Sequence, residues 1–343
     1  MLVSEMHFLR DHWYPVAVVD DLDAPLAVRL FGDDYVVWPT GDGAFASSDP
    51  FCPHRSAHLS GGWVDDGHIV CPYHGWTFDG TGACTHIPQA TPGLPVPPRA
   101  ALRTYPTAAA YGVVWMCVGD QPVSDAPPVW REAVEHPDWR FHVEFFEPFA
   151  AAAPRIIDNN LDQSHVAYVH QNTFGDPDDA ALPPLEVEPT EGGGFHSRMH
   201  ASQRGVGVQN GQTDDESERL DRWTDVELLA PLTTRTRLEY DGSTPDYAFF
   251  SCATPVDDRH SIYMRLTALA GTEAVQPWET FHAFGTRVKE EDRVVLESTV
   301  ADFPVDVTSE VHLRCDKVTL EYRRYLMRQL EQSPAPVPTS TSV

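Results

Sequence analysis

The chain has 343 residues, enough to bury more than one core, and its apolar share of 42% suits a folded globular protein rather than a disordered one. Its formal charge of -27, from 51 acidic against 24 basic residues, would repel nucleic acid, and no basic stripe with interleaved aromatics offsets that field. No run approaches the roughly 18 consecutive apolar residues of a membrane span. The opening Met1-Leu-Val-Ser-Glu-Met-His7 lacks the basic region and apolar stretch of a secretory signal, so a cytoplasmic location away from membranes is expected.

In chain order, Trp13-Tyr-Pro-Val-Ala-Val-Val19 and Val36-Val-Trp38 are short apolar runs. Turn signals at Gly32-Asp-Asp34 and Gly41-Asp-Gly43 separate them, which predicts antiparallel strands. The stretch Phe51 to Trp76 follows, with Cys52-Pro-His54 and Cys71-Pro-Tyr-His74 separated by residues 55–70. Two thiols and two imidazoles in matched loops point to a metal. The pairs are mixed, Cys with His in each loop, which suits a [2Fe-2S] cluster with two Cys on one iron and two His on the other. Cys2His2 is also a structural zinc set, although zinc sites usually pair Cys with Cys and His with His. His58, His68 and His86 read as surface or supporting groups, and Cys84, Cys117, Cys252 and Cys315 as free thiols in a reducing compartment. Phe78 to Gly82 predicts a turn, Pro88 to Pro98 an irregular segment, and Leu102 to Val118 a return to strands. An all-β first domain over residues 1–121 is expected, with Pro122 to Pro128 leading out of it.

A second domain, residues 122–332, mixes strand candidates at His142–Glu147, Trp223–Leu229, Thr234–Tyr240 and Ser261–Leu269 with helices at Arg155–His170, Lys289–Val300 and Thr319–Leu330. The polar stretch Gly205 to Arg219 predicts a mobile loop, and residues 333–343 a disordered tail. The fold class is α+β. His165 and His170, five apart on the predicted helix, subtend about 140° and do not share a face. If both bind one iron, the helix must end, bend or bulge between them. Asp162, three residues before His165, shares its face and can accept a hydrogen bond from the far nitrogen of its ring. Two imidazoles and one carboxylate on one side of a metal form the facial triad of non-haem Fe(II) oxygenases. Spacing alone does not choose the carboxylate among 51 acidic residues.

Taken together, Trp13-Tyr-Pro-Val16, the C-x-H and C-x-x-H-G-W loops, the D-x-x-H-x4-H element at Asp162–His170, Val311-His-Leu313 and Leu320-Glu-Tyr-Arg-Arg-Tyr-Leu326 carry a resemblance over nearly the whole chain. The sequence resembles the catalytic subunit of Rieske non-haem iron oxygenases, of the single-subunit type that includes dicamba and vanillate demethylases and saxitoxin-pathway hydroxylases. The resemblance implies an all-β Rieske domain followed by an antiparallel-sheet catalytic domain with covering helices. Cys52, His54, Cys71 and His74 would hold the cluster. His165, His170 and Asp292 would hold a mononuclear Fe(II), with Glu291 competing for the carboxylate position. Asn159 would take a supporting role, with Asp158 as its non-matching alternative. It also implies a head-to-tail homotrimer in which Asp162 links His165 to a cluster ligand, His74, of the next subunit. No G-x-G-x-x-G and no C-x4-C-x2-C occurs, so electrons from NAD(P)H would arrive through a separate reductase or ferredoxin. The implied reaction is O2-dependent monooxygenation of a small cyclic organic substrate, by C–H hydroxylation or oxidative O- or N-demethylation. Aromatic cis-dihydroxylation is the alternative chemistry, and a non-catalytic iron-sulfur carrier the alternative of another class. The pocket wall is expected within residues 200–285, with Tyr240, Tyr247, Phe249 and Phe250 as candidates.

Overall fold

The computed structural model describes residues 1–204, 219–241 and 245–333. The chain forms two compact units, Arg10–Pro127 and Met1–Leu9 with Pro128–Val343. The expected boundary after residue 121 thus falls at residue 127, and the first nine residues belong to the second unit. They are tied there through Met1, whose ammonium meets Asp302 and donates to the Phe303 carbonyl at 2.9 Å, and through Ser4, whose amide donates to Asp258 at 2.8 Å. Apart from Arg219 and Ser333, the expected mobile loop at 205–219 and tail at 333–343 lie outside the described residues.

The first unit is antiparallel sheet in three pieces. Tyr14–Val18 (β1) pairs with Val113–Met116 (β11), which pairs with Thr107–Ala110 (β10). Leu26–Leu30 (β2), Asp33–Gly41 (β3), Ala44–Ser48 (β4) and Thr104–Tyr105 (β9) form the second sheet in that order. Trp63–Asp65 (β5), His68–Val70 (β6), Thr77–Phe78 (β7) and Cys84–His86 (β8) form the third. The turn predicted after Phe78 is closed by Asp79, whose Oδ1 accepts from Thr81 N at 2.9 Å, Thr81 Oγ1 at 2.6 Å and Ala83 N at 3.1 Å. Trp38, Leu59, Ile69 and Phe78 form one core with Cys52 and Cys71. Both cysteines are therefore rooted in packed interior.

The second unit is a seven-stranded antiparallel sheet with helices. Its strands are Arg140–Phe149 (β12), Glu188–Pro189 (β13), Phe195–Arg204 (β14), Arg219–Ala230 (β15), Thr233–Tyr240 (β16), Tyr247–Pro255 (β17) and Ser261–Leu269 (β18). They lie in the order β12-β18-β17-β16-β15-β14-β13. The helices are Arg131–Glu135 (α1), Ala153–Leu161 (α2), Val166–Val169 (α3), Trp278–Leu296 (α4) and Lys317–Gln332 (α5). Alternation puts Arg222 and Thr224, Thr236 and Leu238, Tyr247, Phe249 and Ser251, and Tyr263 and Arg265 on one face of four neighbouring strands. Helix α2 packs against those strands and touches α4 and α5. No described helix is long and apolar enough to cross a membrane.

Two helices differ from expectation. Arg155–His170 is not one helix: α2 ends at Leu161, Asp162 is extended at φ -77° and ψ 131°, and α3 adds a single turn. The Asp162 carboxylate drives the break by accepting from Ser164 N and Ser164 Oγ, both at 2.7 Å, and from His165 N at 3.2 Å, as a capping residue does. The break thus falls before His165, not between the two histidines. Helix α4 starts at Trp278 instead of Lys289 and stops at Leu296. Its first half, Trp278-Glu-Thr-Phe-His-Ala-Phe-Gly-Thr286, is poor in strong helix formers, yet Phe281, Phe284, Gly285, Lys289, Asp292 and Leu296 share one buried face. Burial of that face outweighs propensity.

Candidate active site and metal centres

The two loops of the first unit have the same backbone. Cys52 N donates to Ala57 O at 2.9 Å and Ser56 N to Cys52 O at 3.0 Å; Cys71 N donates to Trp76 O at 2.8 Å and Gly75 N to Cys71 O at 3.0 Å. The fourth residue after each cysteine has positive φ, Ser56 at 54° and Gly75 at 72°, which lets the chain double back over the thiol. Both cysteines are buried, while His54 and His74 are half-exposed with ring centroids 4.5 Å apart. Trp76 stacks on His54 at 4.5 Å, with planes 6° apart.

This donor set fits an iron-sulfur cluster. Nδ1 of His54 is buried without a hydrogen-bond partner, an unmet atom that a metal would satisfy. Burial pushes the Cys52 thiol up to about 11, so a thiolate there needs a metal to hold it. His58 is occupied elsewhere, its Nδ1 2.7 Å from Ser60 Oγ, and His68 Nδ1 is 2.7 Å from the Asp66 carbonyl.

In the second unit the one-turn helix α3 carries His165 and His170 at its two ends, and α4 supplies the carboxylate. Asp292 Oδ1 lies 3.5 Å from His165 Nε2 and 3.4 Å from His170 Nε2. Bonds of about 2.1 Å meeting at about 90–110° separate ligand atoms by about 3.0–3.4 Å, so the three groups need close only slightly on a metal. All their ligand atoms fall within 4.8 Å of one another. The outer nitrogens face carboxylates: His170 Nδ1 is 2.9 Å from Glu291 Oε2, and His165 Nδ1 is 3.4 Å from Asp162 Oδ2, a charge contact rather than an aligned hydrogen bond. Both arrangements leave Nε2 free to bind. Burial opposes charge on His165, but Asp162 and Asp292 outweigh it and shift its pKa upward. Burial likewise opposes charge on Asp292, yet the two imidazoles and Arg265 hold its carboxyl below the usual range.

Several neighbours bear on what spacing left open. Asn159 Nδ2 donates to Asp292 Oδ1 at 3.2 Å, whereas Asp158 pairs with Arg323 at 2.7 Å and Arg155 at 3.1 Å. Glu291 sits beside the three-residue group, accepting from Thr173 Oγ1 at 2.8 Å as well as meeting His170. The sequence does contain a signal for Asp292: it continues the Phe281, Gly285, Leu296 stripe of α4, a position where an acidic residue has no place unless it has a partner. Thr173 and Arg222 were not singled out by sequence, since nothing in their spacing marks them.

These groups open on a cavity of about 830 Å³, counted out to its mouth, between the sheet face and helices α2, α3 and α4. Of the four expected wall residues, Tyr247 and Phe249 line it. Tyr240 stands behind, its hydroxyl 3.0 Å from that of Tyr247, and Phe250 points to the other face of the sheet, against Trp130. Alternation along β17 separates Phe249 from Phe250.

Comparison with known proteins agrees with both units. Residues 12–106 match the family described as the Rieske [2Fe-2S] domain, and residues 149–332 the vanillate O-demethylase oxygenase C-terminal domain. Over 341 residues the chain is 30% identical to the methylxanthine N1-demethylase NdmA of Pseudomonas putida, covering 96% of this chain and 91% of that protein. The solved structure of NdmA with caffeine superposes with a TM-score of 0.80 at 27% identity, over 94% of this chain and 92% of the other. Dicamba monooxygenase bound to dicamba shares the fold, at a TM-score of 0.80 and 22% identity over 95% and 98% of the two chains. The chain belongs to the Rieske non-haem iron oxygenases and is an enzyme of their single-component type, like NdmA, dicamba monooxygenase and vanillate demethylase.

Proposed function

We propose that this oxygenase removes a methyl group from, or hydroxylates, a small cyclic organic molecule. The observation that carries this reading is the convergence of His165 Nε2, His170 Nε2 and Asp292 Oδ1 on the wall of a cavity large enough for a ring. Likeness to a methylxanthine N1-demethylase and to the vanillate O-demethylase C-terminal domain favours demethylation. The net reaction is R–X–CH3 + O2 + 2 electrons + 2 protons to R–XH + formaldehyde + water, with X an oxygen or nitrogen.

Cys52, His54, Cys71 and His74 hold the cluster, and His165, His170 and Asp292 hold the iron. When bound, these centres supply electron transfer and dioxygen chemistry. The chain's own contribution is orientation. Glu291 fixes the ring of His170, Asp162 sits against that of His165, and Asn159 holds the Asp292 carboxylate through one hydrogen bond. Phe174, Phe249, Phe281 and Phe284 line the cavity with apolar rings that limit water near the reacting bond.

A homotrimer and a separate reductase or ferredoxin complete the reading. Half-exposed histidines on the cluster loops offer electrons an outlet, and Phe51 and Tyr73, 50% and 64% exposed, give those loops apolar contact surface. Asp162 then links His165 to His74 of the next subunit. Asp162→Asn should keep both metals while cluster oxidation uncouples from product; an unchanged single-turnover yield would refute the link.

Metal and sulfide analysis tests the centres: three irons and two acid-labile sulfides per chain support the oxygenase. Two irons support the carrier alternative, and zinc without sulfide rejects both. Substrate-dependent O2 uptake with a surrogate reductase, with products weighed by mass spectrometry, tests the reaction. Loss of a methylene or gain of one oxygen supports it; gain of two oxygens and two hydrogens supports cis-dihydroxylation instead.

A further inference from the structure

Two arginines face the cavity from the sheet, and they differ in what neutralises them. Arg265 is buried beside Glu144, with Nη1 to Oε2 at 4.0 Å, donates to the Tyr263 hydroxyl at 3.3 Å, and lies over the rings of Phe145 and Phe249. Arg222 is 6% exposed and has no carboxylate partner among the described residues. Among the described residues it makes one hydrogen bond, to the Tyr240 hydroxyl at 3.4 Å, and lies over the face of Phe174 at 5.8 Å, and its Nε is buried without a partner. A buried guanidinium with donors left over and no counter-ion is costly, and such a group is normally paired.

The same cavity that holds His165, His170 and Asp292 includes Arg222 in its wall. Phe174 connects them: its ring stacks on His170 at 5.0 Å, with planes 18° apart, lies 5.8 Å from the Arg222 guanidinium, and also neighbours Phe284 at 6.1 Å. Arg222 and the three-residue group thus line one cavity, joined along its wall by the Phe174 ring. We propose that Arg222 is the anchor for an anionic group of the substrate, a carboxylate on a single ring, which supplies the missing counter-ion and aims the opposite end of the ring at His165, His170 and Asp292. This rests on the reading of the cavity as the substrate site. The cavity wall carries Arg222 and Arg265 as well as Asp162 and Asp292, so Arg222 stands out by its lack of a carboxylate partner among the described residues, not by the sign of the whole lining. A planar guanidinium suits a carboxylate, because its donors form a fork that matches two oxygens.

The test compares acids with their amides, benzoate with benzamide and 4-methoxybenzoate with 4-methoxybenzamide, by calorimetric titration of the metal-loaded enzyme without reductase. The wild type should bind the acids more tightly than the amides. Arg222→Gln should weaken the acids about a hundredfold and change the amides less than about threefold, with Arg222→Lys between. Equal or better binding of the amides by the wild type, failure of every acid to bind, or equal loss of acids and amides in Arg222→Gln would overturn the proposal. The wild-type comparison decides it even if the variants do not fold. Acid binding with no O2 uptake once reductase is added would instead sink the oxygenation reading and leave the anion site standing; uptake with neutral rings alone would do the reverse.

Discussion

Asp292 and Glu291 are adjacent acids on one helix, and exchanging the charge on each should have very different consequences for metal. Asp292 Oδ1 is about equidistant from both Nε2 atoms, at 3.5 and 3.4 Å, whereas Glu291 Oε2 faces the outer nitrogen of His170 at 2.9 Å. Asp292→Asn removes one of the three proposed ligands and the charge that would balance the metal. Glu291→Gln leaves all three ligands and removes only the anchor that orients one ring, an effect of about 10- to 100-fold in affinity, or about 1.4–2.7 kcal/mol. The assay is competition of Fe(II) or Zn(II) against a chromophoric chelator, which needs no turnover. Asn at 292 should bind metal too weakly to compete, while Gln at 291 should bind measurably within that range. Thr173→Val should fall nearer wild type, because Thr173 Oγ1 only supports Glu291, at 2.8 Å. Equal loss in the two acidic variants, or stronger loss with Glu291→Gln, would refute the division of roles.

Three further outcomes follow from buried charge and packing. Burial lowers the pKa of His12 to about 4. Above the ordinary value near 6.5 both folded and unfolded states are neutral; between about 6.5 and 4 the unfolded chain takes a proton that the folded one refuses, so stability falls with pH, by about 3 kcal/mol in full. Urea midpoints followed by cluster absorption should lose that slope in His12→Gln, and an unchanged slope would show the histidine is not responsible. Arg323→Met leaves Asp158 buried with only Arg155 beside it and should cost about 3–5 kcal/mol in a denaturant titration, against less for Asp158→Asn with Arg323→Met combined. Gly285→Ala would drive its new methyl into the buried Glu144 carboxylate, which accepts from Thr267 Oγ1 at 2.6 Å. Destabilisation of about 1–3 kcal/mol is expected, and a melting temperature equal to wild type would mean that Glu144 moves freely.

The two Cys-His loops were legible because each cysteine and histidine lies within a few residues of its partner, and the backbone of a tight loop dictates where such side chains go. The strands of the large sheet were legible for a similar reason: a short apolar run bounded by turn residues is a local property, and Ser261–Leu269 emerged with its ends unchanged. Helix ends were not. Asp162 terminates α2 with side-chain bonds to residues two and three further on, a choice between helix and cap that composition leaves balanced. Helix α4 extends through weak helix formers because its buried face packs on a sheet more than ten residues away in sequence.

From residues and resemblance together, the chain determined its class of chemistry: two matched Cys-His loops and a pair of histidines near an aspartate. Tertiary structure decided the geometry. It brought Asp292 from α4 to α3, set Glu291 against the outer nitrogen of His170 instead of between the two Nε2 atoms, turned Asp158 away to Arg323, and left Arg222 in the cavity wall without a carboxylate partner among the described residues. The reason is one of distance. Residues near in sequence share a turn whose geometry local chemistry sets, whereas the direction of a side chain across the core depends on how distant elements pack, and that appears only once the chain has folded.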